Sequence, residues 1–294
     1  MKFALFQGEN RPHIGLVTDR GVLDLTAAAQ RLGLPLPGSM EELIAAGAEG
    51  RRQAEAVRDA ATADGQGPWL KEDQITYLPV VTAPQKIVCV GLNYRRHAQE
   101  SGLPVPEHPV YFPKYANSLI GHGADVAVPA IAQEVDYEVE LAVVMGRRCK
   151  AVSAAEALEN VFGYAVANDL SARDLQRRTN QWTYGKAIDG FLPLGPWLVT
   201  ADEVGDPQKL QLRCLVNGQV RQDSNTADMV FSVAEIISDL SQIMTLEPGD
   251  VILTGTPEGV ALGMNPSPWL QHGDEVVCEI DGLGRLVNRI VRPS

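Results

Sequence analysis

This sequence of 294 residues lacks three features that would assign it to a membrane, a nucleic acid or an oxidising compartment. No stretch approaches the ~20 apolar residues of a membrane span, and the apolar run at the start is too short for a signal-peptide core. The net charge of −12 argues against a nucleic-acid partner, which needs a basic face. The four cysteines include no C-x-x-C pair. This scatter predicts buried, reduced thiols and a cytoplasmic location.

The composition is that of a globular protein, with 45% apolar and 21% charged residues, and the length allows a small domain followed by a large one. Residues 1–26 resemble short strands, and residues 40–63 are Ala-rich and helical in pattern. Glycine and proline then interrupt the pattern up to Pro84. We therefore expect a small N-terminal α/β cap or dimer-arm domain over 1–80 and a main domain over 81–294.

The main domain is rich in strand patterns and poor in helix patterns. Asn217-Gly218 lies between two apolar runs and predicts a tight hairpin. Capping boxes at Ser153 and Ser232 predict two short helices, and a final hairpin is expected around Asp281–Gly284. Strands with few helices favour a mixed α+β domain.

An alternation of acidic residues, E-V-D-Y-E-V-E, runs from Glu134 to Glu140 and leads into the apolar run L-A-V-V. On a strand, Glu134, Asp136, Glu138 and Glu140 would share one face, with neighbouring acids roughly 6.5–7 Å apart. Buried like charges repel, and a hard cation such as Mg²⁺, Mn²⁺ or Ca²⁺ would offset that repulsion. The alternative is the polar outer face of an edge strand.

A histidine and a glutamate stand three residues apart in G-L-N-Y-R-R-H-A-Q-E. On a helix, His97 and Glu100 would share a face, so that the carboxylate orients an imidazole able to take a proton near neutral pH. A surface ion pair is the alternative. Arg95 and Arg96, just before this histidine, are candidates for contact with an acidic or polyhydroxy substrate.

Two further clusters carry polar residues at the ends of apolar segments. Asp169 closes an apolar strand, and Arg173 and Gln176 follow one helical turn later, where they suit a carboxylate and a carbonyl or hydroxyl. Lys186 follows a glycine in an aromatic stretch and is a candidate electrostatic stabiliser. A structural Arg–Asp pair and a solvated lysine are the alternatives.

The segment T-G-T-P-E-G-V begins at Thr254 and follows a predicted strand. Its glycines and proline predict a tight loop whose backbone N–H groups, with the Thr256 hydroxyl, can hold a carboxylate. It is not a Walker motif, because no Gly-Lys-Ser/Thr follows.

These motifs occur in an order that resembles the fumarylacetoacetate hydrolase family across roughly residues 80–292. The resemblance rests on G-L-N-Y-x-x-H-x-x-E, D-Y-E-V-E-L-A-V-V, Y-x-x-x-N-D-L-S-A-R-D-x-Q, W-x-x-G-K-x-I-D and L-x-P-G-D-V-I-L-T-G-T-P-E-G-V. One departure is the glycine loop, which continues G-V-A-L-G where the family usually has G-V-G.

The resemblance implies the family's mixed β-roll, a homodimer, and a set of site residues. His97 and Glu100 match a dyad on a mobile lid, and Lys186 matches the active-site lysine. The implied ligands of Mg²⁺, Mn²⁺ or Ca²⁺ are Glu138, Glu140 and Asp169. The implied substrate contacts are Arg173, Gln176, Gly255 and Thr256.

The expected activity is metal-dependent hydrolysis of a C–C bond in a 2,4-diketo acid. The substrate would be an acylpyruvate or a 2,4-diketo-3-deoxy sugar acid, and the products pyruvate and a second acid. An oxaloacetate-type β-decarboxylase, a 2-oxo acid isomerase or a hydratase on the same site are the alternatives. A catalytically silent binding protein is the alternative from a different class.

Overall fold

The computed structural model describes residues 1–65 and 67–292. Its helices are α1 (Leu25–Leu32), α2 (Met40–Ala46), α3 (Ala48–Ala63), α4 (Arg95–Glu100), α5 (Ala154–Ala157), α6 (Arg173–Gln176), α7 (Thr183–Lys186), α8 (Ala201–Val204) and α9 (Val233–Ile243).

The strands β1–β9 are Lys2–Gln7, Pro12–Thr18, Gly21–Asp24, Trp69–Leu70, Ile87–Gly91, Val110–Lys114, Leu119–Ile120, Asp125–Ala127 and Val135–Asp136. The strands β10–β18 are Val139–Met145, Val161–Asn168, Ser171–Ala172, Leu192–Thr200, Gln211–Val216, Gln219–Asn225, Val251–Leu253, Glu275–Ile280 and Gly284–Val291. Mixed sheets with short helices confirm the α+β expectation.

The largest sheet has the order β4-β3-β2-β1-β13-β11-β10-β16-β5-β6, with β7 beside β13. A second sheet has the order β15-β14-β17-β18-β8, and β12 pairs with β9. In the large sheet, β1 pairs antiparallel with β13, so strands from residues 1–80 continue the sheet of the main segment. The proposed division near residue 80 stays a prediction.

The central strands β10 and β11 are buried along their whole length, which explains their almost uninterrupted apolar sequences. Their side chains alternate between two cores. Leu141 and Val143 pack in the core formed with β14, β17 and α9, whereas Ala142 and Val144 pack in the core formed with helices α1–α3. Glu140 shares the parity of Ala142, so the strand directs its carboxylate to the second face.

Short sequence patterns predicted several turns and helix starts correctly. The Asn217-Gly218 turn has both residues at positive φ (50° and 76°), as a type I′ hairpin requires, and it joins β14 to β15. The capping boxes at Ser153 and Ser232 open α5 and α9.

Two expectations were wrong in detail. The helical segment 40–63 is two helices, because Gly47 adopts φ 55° and ends α2. Residues 1–26 contain the start of a helix as well as strands, because the Asp24 side chain accepts from the Ala27 N–H and caps α1. We also did not anticipate β13, which lies in the middle of the large sheet although it contains two prolines.

Candidate active site

Three buried carboxylates converge where β10 begins and β11 ends. Glu138 immediately precedes β10 and Asp169 immediately follows β11, and the Asp169 N–H donates to the Glu138 carbonyl at 2.9 Å. Glu140 lies two residues further along β10, on the same face as Glu138. Oxygen atoms of the three side chains all lie within 4.8 Å of one another. The paired strands therefore bring together residues that are about thirty positions apart in the sequence.

The charges around this cluster fit a hard divalent cation. Among the residues described, Glu140 has no cation within salt-bridge distance; its Oε2 accepts only from the Gly255 N–H, at 2.7 Å. Burial, together with the charges of Asp169 and Glu138, raises the pKa of Glu140 well above its ordinary value. A buried carboxylate without a counter-ion is costly, and oxygen donors are the ligands that Mg²⁺, Mn²⁺ and Ca²⁺ prefer. The three carboxylates therefore suit such an ion.

Lys186 and Arg173 form ion pairs with the other two carboxylates. Lys186 Nζ donates to Glu138 Oε2 at 2.6 Å and to Asp169 Oδ2 at 2.8 Å, while Arg173 Nη2 donates to Glu138 Oε1 at 2.6 Å. Burial opposes ionisation of Glu138, but Lys186 and Arg173 outweigh it and lower its pKa to about 2. Burial also opposes the charge of Lys186, yet Asp169 and Glu138 raise its pKa. Lys186 is thus a protonated donor within the cluster, where the sequence predicted a stabilising cation.

Lys114, at the end of β6, is a site residue that the sequence analysis missed. Its side chain is fully buried, and its Nζ donates to Asp169 Oδ1 at 2.6 Å and to the Leu170 carbonyl at 3.2 Å. Together with Lys186, it binds both oxygens of Asp169 and fixes the orientation of that carboxylate. The only signal in the sequence was a lysine inside an otherwise apolar strand pattern, Y-F-P-K-Y.

Replacing Lys114 by methionine is expected to lower the free energy of unfolding by about 3–5 kcal/mol, because the buried Asp169 then keeps only Lys186 as a counter-ion, and Lys186 is shared with Glu138. Urea denaturation followed by circular dichroism measures the change. Lys209→Met is the matched control, because Lys209 is a surface lysine whose partner, Asp206, is also exposed. Equal unfolding midpoints for the two variants would contradict the role assigned to Lys114.

His97 and Glu100 lie on one face of α4, as their spacing predicted. His97 Nδ1 is 3.5 Å from Glu100 Oε2 and has no hydrogen-bond partner among the described residues. Glu100 is held in place by the Gly259 N–H, which donates to both carboxylate oxygens at 3.0 and 3.1 Å. Gly259 itself has φ 95°, and a Cβ there would lie 2.0 Å from the Arg221 carbonyl oxygen. The loop that follows β16 therefore positions the glutamate of the dyad.

The same loop forms hydrogen bonds with Glu140 and with the backbone of β10. Besides the bond from Gly255 to Glu140, the Thr256 hydroxyl donates to the Val139 carbonyl at 3.0 Å and accepts from Gln222 Nε2 at 2.8 Å. Gln222, on β15, is a second residue that the sequence did not reveal. The predicted contacts of Gly255 and Thr256 with substrate stay predictions, since both groups bond to protein atoms here.

A cavity of about 450 Å³ opens beside the carboxylates. Its wall includes the His97–Glu100 pair, Lys186, two of the three carboxylates and the substrate-contact candidates Arg173, Gln176 and Thr256. Apolar side chains, among them Phe112 and Trp182, complete the wall. A small polar molecule entering this space would meet the acid–base pair and the carboxylate cluster together.

Only two of the four acidic residues predicted on one strand face lie together, because the strand is interrupted between β9 and β10. Asp136 turns away and accepts from Arg173 Nε and from the N–H groups of Ala261 and Leu262. Glu134 is partly exposed and pairs with Arg177. Neither belongs to the metal-binding group of the described residues.

Arg95 and Arg96 also lie away from the cavity. Arg95 donates to the Asp228 and Met229 carbonyls, and Arg96 pairs with Glu258 at the surface. Neither is part of the cavity wall, so the expectation that this pair meets an acidic or polyhydroxy substrate has no support from the structure.

Comparison with known proteins decides the family. Residues 86–291 match the model of the fumarylacetoacetate (FAA) hydrolase C-terminal domain. The chain belongs to the fumarylacetoacetate hydrolase family. The resemblance read from the motifs is thereby confirmed, and with it the family's type of α+β fold, since solved structures of family members superpose along the whole chain.

Several relatives of this family member carry the names of enzymes. It is 45% identical over 297 residues to the Bos taurus protein named oxaloacetate tautomerase FAHD2A, mitochondrial, covering 99% of this chain and 92% of the relative. It is 39% identical over 300 residues to oxaloacetate tautomerase YisK of Bacillus subtilis (strain 168), covering 99% and 100%. A maleylpyruvate hydrolase from Sphingobium sp. SYK-6, solved with manganese(II) and pyruvate, is 31% identical, covers both chains fully and has a TM-score of 0.79.

Location and assembly stay predictions for this family member. Within residues 1–65 and 67–292, none of the helices has the length and apolar character needed to cross a bilayer. The bovine relative is named mitochondrial, so the expected cytoplasmic location has no support from it. The expected homodimer is likewise untested.

Proposed function

We propose that this protein is an enzyme dependent on a divalent metal, Mg²⁺ or Mn²⁺ with Ca²⁺ as a further possibility, that interconverts the keto and enol forms of oxaloacetate. The observation that carries the proposal is a single cavity that joins a carboxylate cluster suited to a hard ion with an acid–base pair. Two relatives that cover almost the whole chain are named oxaloacetate tautomerases, which supports this substrate.

Glu138, Glu140 and Asp169 would hold the ion. When bound, the ion would supply positive charge that favours the enolate form of a 2-oxo acid. Gln176 would orient the substrate: its Oε1 accepts from Arg173 Nη1 at 3.0 Å, which leaves its amide N–H groups for a carboxylate or keto oxygen. Lys186 would add a donor beside the developing negative charge.

His97 would move the proton. If its Nδ1 carries a proton directed at Glu100, its Nε2 is free to act as the base. Nε2 takes a proton from C3 of the substrate, the C–H electrons form the C2=C3 bond, and the π electrons of the C2 carbonyl move onto its oxygen. The imidazolium then returns the proton to that oxygen. Glu100 stabilises the imidazolium in between. Atoms and charge balance, and no water is consumed.

The second candidate is the C–C hydrolysis expected from the sequence. The same His97–Glu100 pair would take a proton from water, and the hydroxide would attack the distal carbonyl of a 2,4-diketo acid. The C3–C4 bond would then break, its electrons would form the enolate of pyruvate, and this enolate would take the proton from His97, while the acyl part leaves as the second acid. The relative that acts as a maleylpyruvate hydrolase favours this candidate. The two candidates differ in whether a water molecule enters the reaction.

Product analysis on purified protein, with metal removed and then restored, separates the candidates. The substrates are oxaloacetate, acetylpyruvate and fumarylpyruvate, and the products are the enol and keto forms and pyruvate. The proposal predicts metal-dependent equilibration of oxaloacetate without pyruvate release. Pyruvate from acetylpyruvate or fumarylpyruvate would establish the hydrolase, whereas pyruvate from oxaloacetate alone would establish a β-decarboxylase.

A further inference from the structure

One positively charged side chain of the cavity wall forms no ion pair with the carboxylate cluster. Three of its wall residues are positively charged: Arg173, Arg177 and Lys186. Arg173 and Lys186 are almost fully buried, and their donors bind Asp136, Glu138 and Asp169. Arg177 is different, because 55% of its side chain is exposed. Of the three residues, Arg177 is therefore the one whose positive charge an anionic group can reach from solvent.

The Arg177 side chain is held at the cavity wall rather than free in solvent. Its backbone N–H donates to the Arg173 carbonyl at 3.1 Å, and its Nε donates to the same oxygen, also at 3.1 Å. Arg177 lies directly after Gln176, the proposed ligand for one end of the substrate. The guanidinium is thus placed next to a substrate-binding group, and the side-chain hydrogen bond from Nε to the Arg173 carbonyl holds it there.

The partner of Arg177 is a carboxylate that can be exchanged. Glu134 binds Nη2 of Arg177, and this glutamate is 32% exposed. Surface ion pairs contribute little net free energy, so replacing Glu134 by another carboxylate costs little. Because Glu134 is not part of the cavity wall, the guanidinium would exchange this partner for a carboxylate inside the cavity.

We propose that Arg177 binds the distal carboxylate of the substrate and so restricts the enzyme to 2-oxo dicarboxylic acids. This inference rests on the proposed function and adds a residue that selects the substrate class. The distal carboxylate displaces Glu134 from the guanidinium and forms the same kind of charge-assisted hydrogen bond. Arg177 acts as a specificity residue and takes no part in proton transfer.

A matched pair of ligands tests the proposal. Oxaloacetate and 2-oxobutanoate have the same four-carbon skeleton and differ by the distal carboxylate. Isothermal titration calorimetry of each into the Mg²⁺-loaded protein should show tighter binding of oxaloacetate. In Arg177→Gln, the affinity for oxaloacetate should fall about tenfold to hundredfold, the cost of losing hydrogen bonds to a charged group, while the affinity for 2-oxobutanoate stays unchanged. Arg177→Lys should restore part of the affinity.

Two further variants separate recognition from a structural role. Arg178→Gln is the control, because Arg178 stacks over the Tyr184 ring at 5.3 Å and is not part of the cavity wall. It should bind both ligands like the wild type. Glu134→Gln should change oxaloacetate binding in the opposite direction to Arg177→Gln, tightening it, because the guanidinium loses its competing carboxylate. A purely structural ion pair would make both variants weaken binding alike.

The outcomes distinguish this inference from the proposed function. If Arg177→Gln weakens both ligands equally, or neither, the inference is overturned whatever the reaction turns out to be. If the two ligands are discriminated through Arg177 but the enol and keto forms of oxaloacetate are not interconverted, the proposed reaction fails and the recognition of a dicarboxylate stands.

Discussion

Replacing Glu140 by glutamine is expected to abolish metal-dependent turnover while making the metal-free protein more stable. The carboxylate is buried, close to two other carboxylates, and without a cation of its own. Neutralising it removes one ligand charge, and metal affinity should fall more than the roughly 10–100-fold seen when a residue behind the ligands is changed. The expected loss in kcat/KM is about a thousandfold, since the ion supplies several kcal/mol of charge stabilisation.

The stability of the metal-free protein should rise although turnover is lost, because the substitution removes repulsion between buried carboxylates. The gain is at most the roughly 1–4 kcal/mol found when a buried ion pair is replaced by neutral residues of similar volume. It falls towards zero at pH values below the raised pKa of Glu140, where the metal-free protein already holds a proton on this carboxyl. The glutamine oxygen can still accept from the Gly255 N–H that now binds Glu140. Thermal unfolding with EDTA and with Mn²⁺ measures both effects. The wild type should gain stability from Mn²⁺, and the variant should not.

Glu134→Gln is the matched control for this experiment, because it changes an acid from the same sequence run that lies outside the cluster. It should keep the wild-type affinity for Mn²⁺ and the wild-type melting temperature with EDTA. A Glu140→Gln protein that is destabilised without metal, or that still binds Mn²⁺ like the wild type, would contradict the charge argument.

Replacing His97 by asparagine is expected to lower kcat by about 10²–10⁴, the usual contribution of a positioned acid–base group. Metal affinity should remain unchanged, because His97 belongs to α4 and is not in the carboxylate group. Glu100→Gln should lower kcat less, since the imidazole remains and only its orientation and charge stabilisation are lost. Steady-state kinetics and Mn²⁺ titration on each variant measure the two quantities separately.

His108→Asn provides the control for a histidine substitution, because His108 is exposed and is not part of the cavity wall. It should turn over like the wild type. If His97→Asn also kept wild-type kcat, proton transfer would have to be assigned to another residue. If it lost metal binding, His97 would be a ligand rather than a base.

Much of the site follows from short-range patterns in the sequence. The period of two predicts that Glu138 and Glu140 share a strand face, and the helical spacing predicts that His97 and Glu100 share a helix face. Asp169 was singled out because it closes an apolar strand. In each of these cases, local geometry determines where the side chain points.

What the sequence could not supply depends on pairings over long distances. Lys114 reaches Asp169 from a strand 55 positions earlier in the chain, and Gln222 reaches Thr256 from a hairpin of the second sheet. Asp136 continued the acidic alternation, yet bonds to Arg173 and to loop N–H groups take it out of the cluster. A local pattern does not specify which distant backbone or cation compensates a buried charge.

The most direct test of the central claim is the rate at which the enol form of oxaloacetate converts to the keto form, measured by stopped-flow absorbance. Metal-free protein would be titrated with Mn²⁺. The account predicts no rate above background without metal, a rise that ends at one equivalent of Mn²⁺ per chain, and no rise with Glu140→Gln. Full activity in EDTA, or an equal response from Glu140→Gln, would contradict it.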